Sequence, residues 1–204
     1  MARSALLLVD VQNDFCPGGA LAVPEGDRVV PAINAYIEQF DRAGLPIFAS
    51  RDWHPSHTRH FRSAGGPWPP HCVQNTPGAA FHPAMRLPEG TTVLTKGTDP
   101  VDDGYSAFEA TDPAGRLLPE RLEEEQIERL FVAGLATDYC VRASVLDARA
   151  RGIDTVLLLD AVRGIDVEAG DVARALDEML RAGARTATRA TLHEELAAAA
   201  QERR

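Results

Sequence analysis

The chain has 204 residues, 45% of them hydrophobic and 25% charged, with a formal net charge of −9. That composition belongs to a globular protein able to bury a substantial core, and the length predicts a single domain over 1–204. The acidic balance excludes recognition of nucleic-acid phosphates, which needs clusters of basic side chains, so the expected partner is a small molecule.

The first apolar run, Ala5 to Val9, meets Asp10 too soon for a signal-peptide core and reads as a strand. Val29, Val30, Ile33, Tyr36, Ile37 and Phe40 then recur at helical spacing, followed by a second strand over 46–50. The rhythm breaks over 52–90, which holds seven of the fourteen prolines and five of the six histidines. A loop this long inside a compact domain is usually functional. Further strands are expected at 92–95, 130–133, 155–159 and 185–188, several without polar alternation, as in strands buried on both faces. A helix over 138–151 ends at Gly152, and Val167, Val172, Leu176, Met179 and Leu180 mark another. A last helix is expected over 191–200. This alternation predicts an α/β fold with three αβα layers around a mainly parallel sheet of about six strands. No stretch approaches the length of a membrane span, so no membrane partner is expected. Cys16, Cys72 and Cys140 form neither a C-x-x-C pair nor an even framework, which predicts reduced thiols and a cytoplasmic setting.

Two constellations carry chemistry. Asp52-x-His54 puts a carboxylate and an imidazole on one side of an extended segment, and His71 would add a third ligand for a divalent metal with open positions. The plainer alternative is a wet, proline-rich loop whose histidines make ordinary hydrogen bonds. The second constellation is Asp10, Lys96 and Cys140, each at or just beyond the carboxyl end of an expected strand, where the crevice of a parallel sheet lies. Cys140 would sit in a first helical turn capped by Thr137 and Asp138, where the helix dipole and a nearby ammonium lower a thiol pKa. Taken alone, Cys140 reads rather as a small hydrophobe on the buried side of the helix, as most free cysteines are.

Six motifs occur in order: Asp10-x-Gln12-x-Asp14-Phe15, Asp52-Trp53-His54-Pro55, Trp68-Pro-Pro-His71-Cys-Val-Gln74-x-Thr76-x-Gly78-Ala79, Lys96-Gly97, Tyr105-Ser106-Ala107-Phe108 and Gly134-x-Ala136-Thr137-Asp138-x-Cys140-Val141. Together they resemble the nicotinamidase branch of the isochorismatase-like cysteine hydrolase family, over about residues 5 to 165. The resemblance implies that family's hydrolase fold, with 52–90 as a metal-binding loop region. It implies a catalytic triad of Asp10, Lys96 and Cys140, an oxyanion hole from the N–H groups of Ala136 and Cys140, and a cis peptide between Leu135 and Ala136. Metal ligation falls to Asp52, His54 and His71, holding one divalent ion (Zn as first guess, Fe or Mn otherwise), with no organic cofactor. The implied reaction converts nicotinamide to nicotinate and ammonia through a thioester, within NAD salvage, with some acceptance of pyrazinamide. Phe15, Trp68 and Tyr105 would wall the ring slot; for Tyr139, wall and core packing are even.

His60 stands where many relatives carry Ser, which suggests an auxiliary place at the metal. His57 and His82 match no ligand position, Cys16 and Cys72 read as structural, and Asp102 and Asp103 as solvated surface. Rival readings are a cysteine amidase for another carboxamide or carbamoyl compound, and a non-catalytic metal- or thiol-sensing relative. A homo-oligomer stays open.

Overall fold

The computed structural model describes residues 3–192. Six strands form one parallel sheet in the order β3-β2-β1-β4-β5-β6: β1 Arg3–Val9, β2 Ile47–Asp52, β3 Thr92–Lys96, β4 Ile127–Leu135, β5 Asp154–Arg163 and β6 Arg185–Ala187. Every expected strand is present, and the sheet is parallel throughout. The helices are α1 Val29–Arg42, α2 Leu118–Glu124, α3 Arg142–Ala150 and α4 Asp171–Arg181.

Alternate residues along the strands feed two cores. Leu6, Leu8, Phe131 and Ala133 pack with Val30, Ile33, Tyr36 and Phe40 of α1 on one face of the sheet. Ala5, Leu7, Leu130 and Val132 pack with residues of α2, α3 and α4 on the other. This is why the strand sequences are apolar without alternation: both faces are covered, and each fully buried leucine contributes about 1.5–3 kcal/mol.

Several boundaries differ from the sequence reading. Residues 137–141 form a wide turn of π type before α3. Neither Thr137 nor Asp138 caps it; the Asp138 carboxylate instead accepts from the backbone N–H groups of Ile165 and Asp166. Helix α4 starts only at Asp171, leaving Val167 exposed ahead of it, and Leu180 faces outward while Ala175 and Met179 are buried. The short α2 was missed because its seven residues bury only Leu118 and Leu122, too few to show a period. Beyond Leu192, the helix expected over 191–200 lies outside the described residues.

Residues 53–91 contain neither a strand nor an α-helix. They are pinned instead by side chains from the segment after β1. Gln12 donates to Asp52 O (2.8 Å) and Ala79 O (2.9 Å) and accepts from Asp52 N (2.8 Å). Asp14 accepts from Cys72 N at 2.7 Å, and a Cβ on Gly78 would lie 2.2 Å from that carboxylate. A loop without a hydrogen-bond ladder must satisfy its buried backbone groups in this way.

Candidate active site

The strand ends converge at the carboxyl edge of the sheet. Asp10 leaves β1 with φ 49°, a left-handed conformation that turns its carboxylate out of the strand. Lys96 ends β3 in register with Asp52 at the end of β2. Cys140 follows β4 across Gly134, where a Cβ would lie 2.0 Å from Val9 O, so only glycine lets these strands approach. The Leu135–Ala136 peptide is cis, as the resemblance implies.

Lys96 is the single lysine of the chain and is 2% exposed. Its ammonium lies 2.8 Å from Asp10 Oδ2, donates to Gly104 O at 2.6 Å and to Asp52 Oδ1, and sits 3.6 Å from Cys140 Sγ. Burial disfavours this charge, but Asp10 and Asp52 outweigh it and hold the Lys96 pKa well above its ordinary value. Asp10 Oδ1 accepts from Ser50 Oγ at 2.7 Å, whereas Oδ2 has no well-aligned donor. Burial raises the Asp10 pKa, Lys96 opposes, and the charge of Asp52 adds to the rise. Burial likewise pushes the Cys140 thiol well above its ordinary value despite Lys96. Burial thus works against the lowering that a helix dipole and a nearby ammonium were expected to give.

Asp52 faces two ways. Its Oδ1 takes the Lys96 contact, while Oδ2 lies 3.5 Å from His54 Nε2 and 4.0 Å from His71 Nε2. Burial would raise its pKa, yet Lys96 and His54 overcome that and hold the carboxyl well below the usual range. His54, His60 and His71 are all buried, and one ring nitrogen of each lies within 4.8 Å of the others. His54 Nδ1 meets Gly97 O at 3.1 Å and His71 Nδ1 meets Pro69 O at 2.8 Å. Carbonyl oxygens only accept, so both Nδ1 atoms carry a proton, and both Nε2 atoms are left to face Asp52 Oδ2. His54 Nε2 and His60 Nδ1 are buried without a hydrogen-bond partner, a costly arrangement for an apolar purpose and an ordinary one for a metal centre. Burial lowers the His71 pKa to about 4, keeping the imidazole neutral. Gly97, with φ 64°, leaves room for the His54 ring; a Cβ there would lie 2.5 Å from it. The cluster of Asp10, Asp52 and Cys140 is not a second metal centre, because the Lys96 ammonium already occupies its middle.

Between the two groups lies a narrow slot with a volume of about 20 Å³, lined by Phe15, Trp68, Tyr105, Tyr139, Ala136, Cys140 and other groups of the site. Trp68 Nε1 donates to Tyr105 Oη at 2.9 Å and packs edge-on to Tyr139 with ring centroids 4.9 Å apart. All four aromatic residues named from the sequence reach the slot, and Leu21 and Ile165 join them unforeseen. His60, read as auxiliary, stands beside His54 with ring centroids at 4.7 Å. His57 is exposed and the His82 ring Nδ1 accepts from Ala84 N, so neither joins the cluster of His54, His60 and His71. Cys16 and Cys72 lie in the core under α1; burial first, and Asp27 or Asp52 next, raise their thiol pKa values, to about 11 for Cys16. The sequence reading missed Ser50, Gln12 and Asp14 as braces of Asp10, Asp52 and the loop. Asp103 is exposed, as expected from the sequence, and its Oδ1 lies 3.5 Å from His60 Nδ1.

A parallel αβα sheet carrying buried Asp, Lys and Cys at its carboxyl edge, beside a carboxylate-histidine cluster, defines the class of protein. The chain matches the Isochorismatase domain over residues 4–191, and it belongs to that family. It is 42% identical over 200 residues to a nicotinamidase of Escherichia coli, covering 90% of this chain and 94% of that one. Among solved structures it resembles the pyrazinamidase of Pyrococcus horikoshii in complex with zinc, at 46% identity and a TM-score of 0.84, over 91% of this chain and 99% of that one. It also resembles PnC1 from L. infantum in complex with nicotinate, at 34% identity and a TM-score of 0.82, over 92% and 93% of the two chains.

Proposed function

We propose that this chain hydrolyses nicotinamide to nicotinate and ammonia through a thioester on Cys140. The observation that carries the reading is the Lys96 ammonium in contact with Asp10, Asp52 and Cys140 at one end of an aromatic slot, with the histidine cluster beside it. The similarity to a nicotinamidase and to nicotinate- and zinc-bound structures supports it.

The residues perform the reaction as follows. Asp10 Oδ2, the oxygen without an aligned donor, takes the proton from Cys140 Sγ as sulfur attacks the carboxamide carbon. Negative charge develops on sulfur beside Lys96 and then on the carbonyl oxygen, which the N–H groups of Ala136 and Cys140 receive. Asp10 passes its proton to the amide nitrogen, the C–N bond breaks, and ammonia leaves a thioester. Asp10 next takes a proton from water as it attacks the thioester, and the thiol is restored when nicotinate departs. Lys96 stays protonated, because Asp52 keeps its charge beside it while Asp10 carries the proton.

Asp52, His54 and His71 would hold a divalent ion, with His60 as an auxiliary ligand; Zn is the first choice, and Fe or Mn suits the same donors. When bound, it supplies a Lewis-acid anchor for the pyridine nitrogen. Phe15, Trp68, Tyr105 and Tyr139 orient the ring and exclude water. The slot is narrow, with close to the space one water needs. Nicotinate would enter NAD salvage, pyrazinamide fits the same ring chemistry, and three free thiols support a cytoplasmic setting.

Ammonia release from nicotinamide by the purified protein, compared with Cys140→Ala, tests the reading. Release that vanishes in the variant is expected. No release from metal-restored protein would direct the search to other carboxamides, which the triad alone would also serve.

A further inference from the structure

We propose that Asp103 is a positioning residue for His60, holding its Nδ1–H so that Nε2 serves the metal centre. The inference rests on the reading of Asp52, His54, His60 and His71 as the ion-binding group. His54 and His71 each commit Nδ1 to a backbone carbonyl, at 3.1 Å and 2.8 Å, which fixes the tautomer. His60 Nδ1 meets no carbonyl; it is buried without a hydrogen-bond partner, and its neighbour is Asp103 Oδ1 at 3.5 Å. Asp103 thus stands where the other two histidines have their outer partners, and it alone brings a charge. A carboxylate behind an imidazole fixes its orientation and raises its basicity as a ligand.

The backbone ties the two residues together. Pro100 O accepts from Arg59 N at 3.0 Å and from Thr58 Oγ1 at 3.1 Å, so the turn carrying His60 is bound to the segment carrying Asp103. Arg59 lies 3.8 Å from Asp103 Oδ2, which leaves Oδ1 toward the ring. The same segment begins at Gly97, which holds His54, and ends at Gly104, which holds Lys96. The plainer reading is a surface ion pair of Arg59 with Asp103, both more than half exposed and worth little energetically.

A double-mutant cycle separates the two readings. Zinc affinity is measured by chelator competition on apo protein for wild type, Asp103→Ala, His60→Ala, the double variant and Arg59→Ala. Asp103→Ala should weaken zinc binding by about 10–100-fold. In the His60→Ala background it should cost nothing further. Arg59→Ala should stay within about threefold of wild type, and apo thermal unfolding of Asp103→Ala should match wild type, since an exposed carboxylate is lost. Cobalt loaded into Asp103→Ala should show an altered visible spectrum, which a change confined to the surface would not produce. Unchanged zinc affinity in Asp103→Ala, or an equal loss with and without His60, would overturn the proposal while the metal centre stands. Zinc binding indifferent to His54→Ala would overturn both it and the centre.

Discussion

The two halves of the site are built by opposite means. Asp10, Lys96 and Cys140 hang on the ends of β1, β3 and β4, where register and buried strands fix them. His54, His60 and His71 sit on a segment with no regular structure, held by Gln12, Asp14, Gly97 and Pro69 through individual hydrogen bonds. The groups assigned to bond breaking thus follow the ends of sheet strands, and those assigned to orienting the ring ride on a segment without regular structure. Asp52 belongs to both, with one oxygen on each half. Loop chemistry can therefore be retuned without moving the nucleophile, provided Asp52 stays.

The sharpest way to break this division is on the sheet side. Cys140→Ala should lower kcat for nicotinamide by at least about 10⁴-fold, as loss of a nucleophile does, while zinc content by atomic absorption is unchanged. Lys96→Met leaves Asp10 and Asp52 buried without their cation, and urea unfolding should show a loss of about 3–5 kcal/mol together with loss of turnover.

On the loop side the effects should be smaller and reversible. Chelation should reduce kcat/KM by about a hundredfold through misplacement of the ring, and Zn, Fe or Mn should restore it. A chelated enzyme with full kcat/KM would separate the histidine cluster from catalysis. Gln12→Ala strands backbone groups of Asp52 and Ala79, which should cost about 1–3 kcal/mol in the same unfolding assay.

The finest test is of pH. Asp10 must be ionised to take the thiol proton and its folded pKa is raised, so the acid limb of kcat/KM should lie above the ordinary carboxylate value of about 4. Ser50→Ala removes a hydrogen bond that favours the charged form and should shift that limb up by about half a unit to one unit. Stability should respond oppositely at the two carboxylates. Asp52, with a depressed pKa, contributes stability above pH about 4 that is lost as pH falls through its folded value. Asp10, with a raised one, costs stability as pH rises above that ordinary value.

What the sequence disclosed follows the same division. Apolar runs announced β1, β2, β4 and β5 because burial on both faces leaves little other composition. The edge strands β3 and β6 were read from shorter and more polar runs, and Asp10 and Lys96 were legible as polar residues ending strands. The motifs located Asp52, His54 and His71. His60 was only half legible, since its place beside His54 depends on a turn tied to Pro100, forty residues away in sequence. Gln12 and Asp14 stood inside a quoted motif, but bracing a distant backbone leaves no periodic trace. The upward pull of burial on the Cys140 thiol could not be read either, because dryness is a property of what packs around it. One signal was available and unused: the only lysine of the chain is the one buried beside Asp10 and Cys140.

That single lysine has a practical side. Apart from histidine, every other basic side chain is arginine, so the folded surface presents no ε-amino group to acylating reagents. A succinimidyl ester reaches Lys96 only in a molecule whose site has opened, and the mass added there counts such molecules one by one. The residue that holds two carboxylates together in the native state is thereby also a built-in tag for its loss.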